Sequence, residues 1–108
     1  MANMSKVWYV YIMNNKPKGV LYIGVTDNIE ERVKEHKLKV YQKSFTARYN
    51  CDKLIYFEDF EEGNLAEKRE RTFKKWKREW KIEFIEEMNP SWADLSINWE
   101  LNNRKIRK

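Results

Sequence analysis

The run Val-Trp-Tyr-Val-Tyr-Ile-Met at residues 7–13 constrains the fold more than any other segment. Successive side chains of a strand point to opposite faces, and here both faces are apolar. Such a strand needs cover on two sides, so it predicts a central strand between two layers. Asn14 to Gly19 follows, with Asn-Asn, Pro and Gly, and reads as a turn. Val-Leu-Tyr-Ile-Gly-Val at residues 20–25 is a second strand, and the short link makes the two antiparallel. Gly24 inside that strand marks a bulge or a close backbone approach.

Asp27-Asn28-Ile29-Glu30 predicts a helix start with Asp27 at the N-cap. Ile29 and Val33 supply the buried stripe, and the pattern fades near Lys37. Arg32 and His36 lie four apart on one face and flank that stripe. Residues 38–52, with Lys39, Lys43 and Arg48, read as a basic loop. Residues 53–58 are a third strand and Asp59 to Gly63 a turn. Asn64 and Glu67 then form a second capping box. The next stripe runs through Leu65, Ala66, Phe73, Trp76 and Trp80. At ~100° per residue, Glu70 falls at the border of that stripe. The pattern continues or restarts through Ile82, Phe84, Ile85 and Met88 and ends before Pro90. The order is β-β-α-β-α-α. A right-handed crossover makes strands two and three parallel. The doubly apolar first strand then lies between them, which predicts an α+β domain with a three-stranded sheet of order 2-1-3.

The chain of 108 residues is 42% hydrophobic, enough for one core. Residues 1–95 are expected to form that domain, with 96–108 as a basic C-terminal tail. No apolar run approaches the ~20 residues that span a bilayer, so no membrane association is expected. Cys51 is the one cysteine, which leaves no internal disulfide and points to a reducing, cytoplasmic setting. Cys51 and His36 together cannot build a zinc finger or a three-histidine zinc centre. The three glycines fit neither a P-loop nor a dinucleotide fingerprint.

The net charge of +5 is unevenly spread. Residues 64–81 carry eight basic and three acidic side chains; residues 82–103 carry five acidic and none basic. Segregation of this kind makes a local positive field suited to a polyanion, although a charge run alone is more often a solvated helix face.

Five polar groups stand where apolar ones would suit the pattern: Tyr11, Tyr22, Arg32, His36 and Glu70. Singly, each has an ordinary structural explanation, such as a core tyrosine with its hydroxyl at the rim. Their order goes further. Tyr9-Val10-Tyr11, Tyr22-Ile23-Gly24, Arg32 with His36, and Ala66-x-x-x-Glu70 resemble the GIY-YIG endonuclease superfamily. Lys74-Lys75-Trp76, Trp80-Lys81-Ile82 and Asn89-Pro90-Ser91-Trp92-x-Asp94-Leu95 resemble its small single-domain bacterial branch. Tyr9 departs from the family pattern, which has glycine there.

The resemblance implies a metal-dependent endonuclease that hydrolyses phosphodiester bonds in DNA, with DNA favoured over RNA. Weakly sequence-specific or structure-directed cleavage by a monomer is expected. It implies that Glu70 binds a divalent cation, Mg²⁺ or Mn²⁺. It implies that Arg32 steadies the phosphate and that Tyr11 and Tyr22 flank it, one of them activating water. His36 would assist a tyrosine, and Asn89 stands nearest to the family's motif asparagine. Lys74 and Lys75 are expected to contact the phosphate backbone. Two other readings compete. One is a nucleic-acid-binding module with little or no turnover. The other is an interaction domain that uses Trp76, Trp80, Trp92 and Trp99.

Overall fold

A computed structural model describes residues 6–99 of the chain. The elements are β1 (Trp8–Asn14), β2 (Leu21–Thr26), α1 (Ile29–Leu38), α2 (Phe45–Arg48), β3 (Lys53–Phe60), α3 (Gly63–Lys75) and α4 (Arg78–Met88). The sheet has the order β2-β1-β3, and β1 is antiparallel to both neighbours. The α+β architecture and the 2-1-3 order expected from the sequence are therefore observed.

The apolar character of both β1 faces explains the layering. Val10 and Ile12 face a cluster with Ile23, Ile55, Ala66, Phe73 and Ile85, which brings α3 and α4 onto one side. Tyr11 and Met13 face Ile29, Val33, Cys51 and Leu54, which seats α1 on the other. Each fully buried side chain of this size contributes roughly 1.5–3 kcal/mol, and β1 serves both layers. On the β3 side the register shifts between Ile12 and Met13, where Ile55 is the extra residue.

Several local expectations need correction. Asn28, not Asp27, is the N-cap of α1, and its side chain accepts from the Glu31 N–H at 3.3 Å. Asp27 is drawn away to an ion pair with Lys6 at 3.0 Å. The Asn64/Glu67 box does not form. Helix α3 begins two residues earlier, at Gly63, with Glu62 as a cap that makes no side-chain bond. The Trp8 ring lies so close to Gly63 that a Cβ there would come within 3.0 Å, so tertiary packing sets this start. The loop at 38–52 contains the short helix α2.

Trp76 and Lys77 are extended (ψ 147° and 153°), which breaks the helical pattern into α3 and α4 and resets its phase. Trp80, placed on the buried stripe by a continuous 3.6-residue period, is consequently exposed; Leu65, within α3 itself, is exposed as well. Trp76 stays on the core, 5.0 Å from Phe73 and 5.6 Å from Phe84 between ring centres. Trp92 is buried, and Trp99 packs 6.0 Å from Phe57. Three of the four tryptophans proposed to bury a partner are thus engaged within the domain.

The segment after α4 is tied back by two polar side chains. Asn89 donates to the carbonyls of Ile55 (3.0 Å) and Ala93 (2.9 Å) and accepts from the Ala93 N–H. Asp94 accepts from Lys37 at 2.5 Å and from the Leu54 N–H at 3.2 Å, joining α1 to the start of β3. Ser96 is buried beneath this clamp. The basic residues 104–108 lie outside the described residues. Among the described residues, no helix is long and apolar enough to cross a membrane.

Candidate active site

Tyr11 of β1 lies directly opposite Gly24 of β2, and Tyr22 lies opposite Met13. The two tyrosines are therefore diagonal neighbours on the face covered by α1, with ring centres 6.1 Å apart. Gly24 has no side chain, so the Tyr11 ring can cross it. A Cβ at position 24 would stand 2.6 Å from the Tyr11 hydroxyl oxygen and 2.7 Å from Cζ. What comes close to Gly24 is the side chain of Tyr11, not a backbone, and the β1–β2 register shows no bulge there. Tyr9 is an ordinary strand residue paired with Thr26 and Asp59, so the missing family glycine costs the backbone nothing.

Helix α1 lowers His36 onto the tyrosine pair, 5.7 Å from Tyr11 and 5.4 Å from Tyr22 between ring centres. His36 Nε2 meets the Tyr11 hydroxyl at 2.9 Å, and Nδ1 meets Thr46 Oγ1 at 2.7 Å. Arg32, one turn earlier, is half-buried and donates to Glu35 at 2.8 Å. Its guanidinium lies 5.7 Å from the centre of the exposed Tyr41 ring.

Burial raises the Tyr11 phenol well above its usual range, and Tyr22 raises it further, while Arg32 opposes both. Tyr11 is thus a protonated phenol at neutral pH. Burial, followed by the charge of Arg32, pushes His36 down to about 4 against the opposing pull of Glu35. The imidazole is neutral at pH 7, with one ring nitrogen donating and the other accepting.

These shifts give a stability profile that can be measured. The unfolded chain takes up the His36 proton near pH ~6.5, whereas the folded chain resists it to about 4. Stability is therefore expected to fall as pH drops through that window and to level off below it. Asp94 adds a second, more acidic loss. Burial alone would raise its carboxyl, but bonds from Lys37, Ser96 and Leu54 outweigh that and hold it below its usual value. Its contribution is present above pH ~3.9 and lost as pH falls through the lower folded value. Melting temperatures of wild type and Asp94→Asn between pH 7 and pH 3 check both. A wild-type curve flat from pH 6.5 to pH 4 would contradict the His36 assignment.

Glu70 stands apart from this cluster. It sits on α3, the layer on the opposite face of the sheet, half-buried at the helix border as its position in the stripe implies. Its carboxylate accepts from Lys74 at 2.9 Å, and Lys75 is exposed beside it. Among the described residues no group of three or more His, Cys, Asp or Glu comes together. Any cation held here therefore relies on few protein ligands, with water and substrate oxygens completing the shell. That donor set suits Mg²⁺ or Mn²⁺, which keep most of their waters, and would not suit a caged metal. Asn89 is buried with both ends of its amide bonded inside the fold.

The loop reading of 38–52 missed part of the site. Ser44 caps α2 by accepting from the Ala47 N–H at 3.2 Å, and this turn delivers Thr46 to His36. It also sets exposed Phe45 6.0 Å from Tyr22, with exposed Tyr49 4.8 Å beyond and Arg48 over the Tyr49 ring. Four residues are too few to show a helical period; a serine cap three residues before Ala47 was the available signal. At the start of β2, Asn15, Lys16, Gly19, Arg78 and Lys81 line a cleft of about 650 Å³.

Residues 7–83 match the family described as the GIY-YIG catalytic domain. Curated relatives agree. A UPF0213 protein of Clostridium perfringens is 40% identical over 77 residues, covering 71% of this chain and 81% of the relative. One from Syntrophus aciditrophicus is 37% identical over 82 residues, covering 76% and 92%. A third, from Autographa californica nuclear polyhedrosis virus, is 31% identical over 71 residues, covering 66% and 67%. No solved structure matches the chain.

Proposed function

The chain belongs to the GIY-YIG catalytic domain family, a family of nucleases, and from that premise we propose that it is a divalent-metal-dependent DNA endonuclease. The observation that carries this reading is the meeting of Tyr11, Tyr22 and His36 on one face of the sheet, with Arg32 one turn from His36 on α1.

In this proposal the scissile phosphate sits at the open edge of β2, the strand that carries Tyr22. Helix α3 packs against β2, so in this reading Glu70 would face the same phosphate from the other side of the sheet. Glu70 would hold the cation, whose charge when bound favours the departure of the 3′ oxygen. Arg32 is the phosphate's fork-shaped partner. Tyr22 is half-buried and accessible from the edge, so it orients the attacking water. Tyr11, more deeply set, is hydrogen-bonded to His36 Nε2, which fixes where its hydroxyl stands beside Tyr22. Lys16 and Lys81 in the cleft, and Lys74 and Lys75 on α3, supply backbone contacts, which position a strand without reading its bases. Exposed Phe45, Tyr49 and Tyr41 interleave with Arg48 and Arg32 at the same mouth. Together these features support weakly sequence-specific or structure-directed cutting.

The test is cleavage of supercoiled plasmid, single-stranded and branched DNA in Mg²⁺ or Mn²⁺, with and without EDTA. Metal-dependent nicking that weakens steeply as salt rises is expected, because phosphate binding releases counterions. Salt-sensitive binding with no cleavage of any substrate in either metal would favour the binding-module reading instead.

A further inference from the structure

His36 has a second neighbour whose chemistry decides what the histidine can do. Thr46 is buried at 2% exposure, and its hydroxyl lies 2.7 Å from Nδ1. It is held there from both sides. Its carbonyl accepts from the Cys51 N–H at 2.8 Å, and its hydroxyl lies 3.2 Å from Ser44 Oγ. The chain Tyr11–His36–Thr46–Ser44 runs unbroken from the sheet face to the cap of α2.

Hydrogen-bond arithmetic picks one direction for this chain. The Tyr11 hydroxyl is buried and keeps its proton, so it needs an acceptor. Among the described residues its hydrogen-bond partner is Nε2. A neutral imidazole that accepts at Nε2 carries its proton on Nδ1. That N–H then needs its own acceptor, and Thr46 Oγ1 is the group in place. Thr46 can pass its hydrogen to Ser44 Oγ, leaving no buried donor without a partner.

We propose that Thr46 is a positioning residue for the reaction: by accepting from Nδ1–H it fixes the tautomer and ring orientation of His36, and so keeps Nε2 open to the Tyr11 proton. Without the threonine hydroxyl, an Nδ1–H would be a buried donor with no partner, which is costly. The imidazole would then move its proton to Nε2, where it faces the Tyr11 oxygen. The phenol would lose its acceptor, and its hydroxyl would no longer be held in place. The kinetic part of this inference rests on the nuclease reading above; the tautomer part does not.

The chain has one histidine, so nitrogen NMR of the imidazole reports on His36 without assignment work. In wild type without a histidine tag, the Nδ1–H tautomer is expected. Thr46→Val keeps the shape and removes the hydroxyl; it should shift the population toward Nε2–H. It should also lower kcat about tenfold or more with KM for DNA unchanged, since misplacing a reacting group by ~1 Å can cost about 10²-fold. Thr46→Ser restores a hydroxyl and should return both readouts toward wild type. The proposal is overturned if wild-type His36 is the Nε2–H tautomer. It is equally overturned if Thr46→Val retains the wild-type tautomer and kcat, or if Thr46→Ser behaves like Thr46→Val. A wild type with the expected tautomer but no cleavage under any condition would defeat the nuclease reading and support the assignment of Thr46 to the histidine.

Discussion

Replacing Glu70 by alanine is expected to reduce metal-dependent cleavage by about 10³-fold while DNA binding stays equal or tightens. A bound cation supplies several kcal/mol of charge stabilisation at a phosphoryl centre, and each 1.36 kcal/mol is worth a factor of ten. Among the described residues no group of three or more potential metal ligands offers an alternative site. Binding should survive because the substitution removes a negative charge and frees the Lys74 ammonium that Glu70 now holds at 2.9 Å. The lost Glu70–Lys74 pair is a partly exposed contact four residues apart on a helix, worth only about 0.3–0.5 kcal/mol, so the fold should persist. Single-turnover cleavage in Mg²⁺ and Mn²⁺, set beside a filter-binding isotherm in Ca²⁺, separates the two effects. Equal cleavage by Glu70→Ala and wild type would show that the cation, if used, is held elsewhere.

Gly24→Ala should damage both stability and activity, although the substitution adds one methyl group. Its Cβ would fall 2.6–2.9 Å from three atoms of the Tyr11 ring end, inside any permitted contact. The ring cannot swing aside freely, because Tyr11 is 1% exposed and lies between Tyr22 and His36. Overpacking of a buried site costs about 1–3 kcal/mol. In a domain of this size each kcal/mol lowers the melting temperature by roughly 4–8 °C. Moving the phenol by ~1 Å also takes its hydroxyl off Nε2, and misplacement of that order can cost about 10²-fold in rate. A thermal melt and a cleavage assay on the same preparation measure both. An alanine variant that melts and cuts like wild type would mean that the strand spreads to admit the methyl and that Tyr11 is not held by its opposite residue.

The two substitutions probe different layers of the molecule, and the layers differ in how far they could be read ahead. The 2-1-3 sheet followed from the seven residues of β1, because a strand apolar on both faces has to be central. Tyr11 and Tyr22 were legible as a pair from strand alternation and a short hairpin. Arg32 and His36 were legible as one helix face, and Glu70 as a border position. Helix starts were less legible. Asp27 and Asn28 can each cap a helix, and the ion pair between Lys6 and Asp27 decides between them. The split between α3 and α4 was not legible either, since Trp76 and Trp80 fit one continuous period until the backbone extends at Trp76 and Lys77.

By itself the sequence determined the two-sided central strand, the element order, the residue types of the site and the strand or helix that carries each one. These depend on local periodicity, which repeats within a few residues and can be counted along the chain. Only the tertiary structure decided that Tyr11 lies across Gly24, that Thr46 closes on His36, and that Glu70 belongs to the layer beyond the sheet. Those facts join residues far apart in the chain, through packing distances and hydrogen-bond partners. A one-dimensional pattern cannot carry them, because contact between distant segments is settled by how whole layers stack.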